Sequence, residues 1–93
     1  MIVWYVHCEW YDARDITIGI FTNLAFAARE AMKYVEDMCQ NNEVLTNRWE
    51  EPWGFTIDIT QKVTYDLGDS IKRTGTDFTG QLIFEHVTLN HLS

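Results

Sequence analysis

Ninety-three residues with 46% hydrophobic and 14% aromatic side chains fill one core and leave too little for a second, so a single folded domain spanning 1–93 is expected rather than a disordered segment. Fourteen acidic residues against seven basic ones give a formal charge of −7, which argues against direct contact with nucleic acid or an anionic membrane, because no excess of Lys and Arg is present to displace counterions. No apolar run reaches membrane-spanning length, MIVWYVHCEW lacks the features of a secretory leader, and Cys8 and Cys39 follow no pairing pattern, so a cytoplasmic protein with two reduced thiols is expected.

Residues 2 to 11, IVWYVHCEWY, are β-branched and aromatic on both alternating faces. Ile2, Trp4, Val6, Cys8 and Trp10 share one face and Val3, Tyr5 and Tyr11 the other, the pattern of an interior strand. DARD (12–15) supplies a polar turn, and ITIGIF returns as the second half of a hairpin, with Ile16, Ile18 and Ile20 alternating against Thr17, Gly19 and Phe21. Thr22 or Asn23 then offers a side-chain oxygen to the free N–H groups that begin a helix. Leu24, Ala27, Ala28, Ala31, Val35 and Met38 recur at three- and four-residue steps and form its buried stripe. Arg29, Lys33, Glu36, Asp37 and Gln40 take the opposite side, and Phe26 stands among them, covered by a loop or exposed as a contact.

NNEVLTNRWEEPWGF (41–55) reads as irregular, with at most one helical turn around Val44 and Leu45. Alternation resumes in FTIDITQKVTYDL (55–67), which is one long strand or two strands broken near Gln61 and Lys62. Phe55, Ile57, Ile59, Val63, Tyr65 and Leu67 share its apolar face. GDSIKRTGTDFTG (68–80) has loop composition, and QLIFEHVTL (81–89) closes the chain as a strand. This order predicts an α+β fold, an antiparallel sheet of four to five strands with one main helix packed on one face. The second apolar face of the first strand then calls for cover, which a homodimer would supply.

The residues that could carry chemistry are scattered. His7 and Cys8 are adjacent and point to opposite sides of a strand, while His86 and His91 lie far along the chain without CxxC or HxxxH spacing, so neither a metal nor a cofactor is expected. Cys8 sits among Trp and Val, and Cys39 falls near the C-terminal end of the helix, where the dipole opposes a thiolate. Ser70 and Ser93 have no neighbouring histidine, and Gly19, Gly68, Gly75 and Gly80 open no phosphate loop, so the chain reads as non-enzymatic.

NRWEEPWGF (47–55) is the best candidate for a recognition surface. Trp and Arg are frequent interface anchors, and paired glutamates select a basic partner. Trp49, Glu50, Glu51 and Trp53, with Phe26 and the acids Asp12, Asp15, Glu36 and Asp37, make up the candidate partner-binding set. The simpler packing expectation is that Trp49 and Trp53 form a lid that completes the core, since large aromatics are seldom left exposed.

WYVHCEWYDARDITIGIFTNLAFAAREA (4–31) resembles the start of small uncharacterised α+β proteins of tailed bacteriophages and prophages. Gly19-Ile20-Phe21-Thr22 and the pair Ala27-Ala28 carry the resemblance, which covers about the first 40 residues and transfers no catalytic residue. It implies a phage context, in which small acidic proteins bind and block a host protein, sometimes by imitating nucleic-acid charge. The expected partner is then a basic or nucleic-acid-binding host protein, such as a defence factor, met in the host cytoplasm. The alternative is a small-ligand-binding domain with an aromatic pocket between sheet and helix, lined by Trp4, Trp10 and Tyr65.

Overall fold

The computed structural model describes residues 1–40, 42–68 and 71–89, apart from the side chain of Tyr65. The elements run β1 (Ile2–Trp10), β2 (Asp15–Phe21), α1 (Leu24–Cys39), β3 (Val44–Glu51), β4 (Gly54–Asp66) and β5 (Lys72–Thr88). The strands form one antiparallel sheet in the order β2-β1-β5-β4-β3, so the last strand fills the space between the first and the fourth. With α1 after β2, this is the α+β arrangement that the pattern predicts.

One sheet face is apolar and lies under the helix. Val6, Cys8 and Trp10 of β1, Leu82 and Phe84 of β5, and Phe55 and Ile59 of β4 pack there with Ala27, Ala31, Val35 and Cys39 of α1. Alanine at the contact lets the helix backbone sit close, and burial of the larger side chains contributes roughly 1.5–3 kcal/mol each. Phe55 and Phe84 stack with ring centroids 4.5 Å apart, and Trp10 Nε1 donates to the Tyr34 hydroxyl at 3.1 Å. Asn23, not Thr22, caps the helix, its Oδ1 accepting the Phe26 N–H at 2.9 Å. At the far end Gln40 turns to φ 52° and stops the helix. Met38 was expected in the buried stripe but is 47% exposed, and Cys39, one full turn beyond Val35, takes that position.

Two segments expected to be irregular are strands. Residues 44–51 form β3, an edge strand paired on one side with β4 from Val44↔Gln61 to Glu51↔Gly54. Its side chains are largely exposed on both faces, so no apolar alternation betrays it. Residues 72–80 belong to β5, whose first half pairs with the second half of β4, from Thr60↔Phe78 to Asp66↔Lys72. That hairpin projects beyond β1 and β3, and an arm wet on both sides can use Thr, Gly and Asp where a core strand cannot.

Gly54 opens β4 directly after the Pro52-Trp53 turn, with φ 152°. A side chain there would overlap the carbonyl oxygen of Phe84, so only glycine allows β4 to meet β5 at this point. The lid expectation is overturned by the same turn. Trp49 is 53% and Trp53 39% exposed, because Trp49 projects from β3, and Trp53 from the turn after it, on the sheet face away from the helix.

A β-bulge sets the other feature that matters. Val6 faces Gly19 and His7 faces Thr17, so Ile18 is an extra residue on β2. The insertion reverses side-chain parity along β2. Gly19 and Phe21 share the helix side with Val6 and Trp4, whereas Thr17 and Asp15 fall opposite His7 and Glu9 on the other side. The expected single row of Ile16, Ile18 and Ile20 is therefore broken: Ile18 packs against the core, while Ile16 and Ile20 are exposed.

Candidate functional site

The sheet face turned away from α1 carries three side-chain rows fixed by the register. The middle row runs Thr17, His7, Ile83, Thr56, Trp49 from β2 to β3. On one side of it stand Asp15, Glu9, Gln81, Asp58 and Asn47, and on the other Ile20, Tyr5, Glu85, Gly54 and Glu51. His7, Ile83 and Thr56 are buried in this surface at 8%, 7% and 9% exposure, and they make its floor. Gly54 has no side chain to fill the space between Glu85 and Glu51. The outcome is a cleft of 460 Å³ lined by His7, Glu9, Trp49, Glu51, Trp53 and Glu85 among others.

The electrostatics of the face are one-sided. Glu9, Asp15, Glu51, Asp58 and Glu85 all project from these three rows, which contain no lysine or arginine. Trp49 is held in place by donating its Nε1–H to Asp58 Oδ2 at 2.8 Å, so its ring is preset as a wall of the cleft. Arg48, the cation nearest in sequence, points to the other side of β3, where its guanidinium lies 3.8 Å from the centre of the Phe55 ring and bonds Glu50 at 2.6 Å.

His7 sits where the β1–β2 pair meets the cleft. Its ring stacks on Tyr5 with centroids 5.0 Å apart, and Tyr5 shares a hydrogen bond of 3.0 Å with Thr17. Nδ1 is 3.0 Å from Asp15 Oδ1, and Nε2 is 3.6 Å from Glu85 Oε1.

The expected partner-binding residues separate into five places. Trp49, Glu50, Glu51 and Trp53 line the cleft together. Phe26 lines a different hollow at the β2–α1 join, with Ile20, Phe21 and Arg29, its ring edge-on to Phe21 at 5.7 Å. Asp12 is engaged in the β1–β2 turn, where the hydrogen bond from Arg14, 2.8 Å away, holds its carboxyl below the usual range. Asp15 joins His7, while Glu36 and Asp37 are exposed on the helix, away from the cleft. His7, Glu9, Asp58 and Glu85 were not in that set. Only the β1–β5–β4 register brings them to one face, and no local spacing encodes it.

Trp4 and Trp10 are engaged in packing rather than in a pocket wall. Trp4 meets Phe55 at 5.7 Å and His86 at 5.6 Å between centroids, and Trp10 is 7% exposed against Tyr34. The Tyr65 side chain lies outside the described residues. Burial pushes the Cys8 thiol up to about 12 and raises that of Cys39 as well, so both stay protonated at neutral pH. The chain matches no family model, no curated protein and no solved structure, so the face is read on its own geometry.

Proposed function

We propose that this chain is a non-enzymatic protein-binding module whose open sheet face receives a basic segment of a partner protein. The observation that carries the reading is the composition of that face: five carboxylates project from its three rows, Glu9, Glu51 and Glu85 of them lining the cleft beside two exposed tryptophans, and those rows hold no lysine or arginine. Exposed ion pairs contribute only about 0–1 kcal/mol each, so the acids steer the partner and set its sign. The affinity rests on Trp49 and Trp53, whose faces bury apolar stem and attract cations at about 0.5–1 kcal/mol or more per contact. Given the phage-type resemblance of residues 4 to 31, the proposed partner is a host protein, a defence factor or a nucleic-acid-binding one. The module inhibits or redirects it by offering nucleic-acid-like charge.

The test is capture from bacterial lysate by the tagged chain, with Trp49→Ala/Trp53→Ala run beside it and elution by rising salt. A basic protein retained by the native chain, released by salt and lost with the double variant is the expected result. Equal retention by both chains, or reproducible recovery of nothing, would contradict the reading for that host.

A further inference from the structure

His7 has a hydrogen-bonding problem that a bound cation would resolve. Its side chain is nine-tenths buried, and among the described residues Nε2 has no hydrogen-bond partner. Nδ1 is placed to donate to Asp15 Oδ1 at 3.0 Å. A neutral ring of that tautomer turns the lone pair of Nε2 toward another acceptor, Glu85 Oε1 at 3.6 Å. A buried acceptor facing an acceptor is unfavourable.

Moving the proton to Nε2 lets Nε2–H donate to Glu85 but leaves the Nδ1 lone pair facing Asp15 Oδ1 at 3.0 Å, a conflict that a cation held between the two removes. That lone pair points among carboxylates. One ring nitrogen of His7 and carboxylate oxygens of Glu9 and Asp15 lie within 4.8 Å of one another. Donors around a tetrahedral zinc ion stand roughly 3.3 Å apart for bonds of about 2.0 Å, so the exposed side chains of Glu9 and Asp15 need only rotate to converge. A ligating histidine ordinarily donates its other N–H to a carboxylate, the role left for Glu85.

We propose that His7 Nδ1, Glu9 and Asp15 form a binding site for a divalent transition-metal ion of the zinc type, with Glu85 orienting the imidazole from behind. One imidazole and two carboxylates suit zinc or its first-row neighbours better than magnesium, which prefers all-oxygen octahedral shells. The site depends on the β2 bulge, because without it Asp15 would project toward the helix side. His7, Glu9 and Glu85 also line the cleft and Asp15 stands outside it, but the site does not depend on the partner-binding reading, since the ion is taken up by the isolated chain.

The experiment is a titration of the untagged, metal-free protein with zinc chloride, followed by calorimetry and by 15N resonances of the histidine rings. One equivalent should bind saturably, with His7 Nδ1 shifting as the coordinated nitrogen and Nε2 becoming the protonated one. Asp15→Asn, an exposed change that leaves the core untouched, should weaken binding at least tenfold, and His7→Gln should abolish it. Asp58→Asn should leave it unchanged, and magnesium should not compete. Absence of saturable binding, unmoved His7 resonances, or full affinity in Asp15→Asn would overturn the proposal.

Discussion

Cys8 shows how much a single buried side chain couples stability to pH. It has no exposed surface, lies between Val6 and Trp10 on the helix side of β1, and burial pushes its thiol from 9.0 up to about 12. Below about pH 9 both folded and unfolded chains hold the proton, and the group's stabilising contribution is fully present. As pH climbs from there toward 12 only the unfolded chain releases it, so folding free energy falls, with a slope approaching about 1.4 kcal/mol per pH unit. Urea unfolding between pH 8 and 10 should therefore show a steeper alkaline loss for the native chain than for Cys8→Ala. The variant should be less stable at pH 8, since it removes a packed sulfur, yet flatter in slope. Parallel slopes would mean that the thiol ionises in the fold as easily as outside it.

The elements differ in how firmly they are held. β4 and β5 are flanked by β3 and β1 only as far as Gln61↔Val44 and Gly80↔Trp10; beyond these they form a two-stranded arm. Leu67 and Ile71 are each 58% exposed there, and the arm makes the molecule 70 Å long against 22 and 21 Å in the other directions. Two strands without a packed face are marginal on their own. Native-state amide exchange should be about a hundredfold or more faster at Lys72 and Thr74 than at Val6, Leu82 and Phe84. Equal protection would show that the arm opens only with the whole fold. Elements resting on the core were legible in the sequence: the β1–β2 hairpin, the helix with its cap, and the apolar face of Phe55, Ile57 and Ile59. β3 and the start of β5 were not, because strands wet on both faces carry no alternation. The bulge at Ile18 was invisible for another reason. It satisfies the partner strand's register, not any local pattern, and with it went the meeting of His7 and Asp15.

At the scale of the molecule, the division of labour follows the two faces of one sheet. The helix side takes the large apolar residues and holds Arg48 against Phe55, while the open side collects Glu9, Asp15, Glu51, Asp58 and Glu85. The sequence made Trp49, Glu50, Glu51 and Trp53 recognisable as a group, because they are neighbours in the chain. Their companions Glu9 and Glu85 could be found only once β5 was seen to lie between β1 and β4. A net charge of −7 is thus not spread evenly but includes one face without a compensating cation in its three central rows. The measurement that tests this account most directly is an NMR titration of the 15N-labelled chain with a lysine- and arginine-rich peptide at low and high salt. The account predicts saturable, salt-sensitive shifts at the indole N–H groups of Trp49 and Trp53 and at the amides of Thr56, Gln81 and Glu85. Shifts confined to the helix, or spread evenly over the surface without saturation, would contradict it.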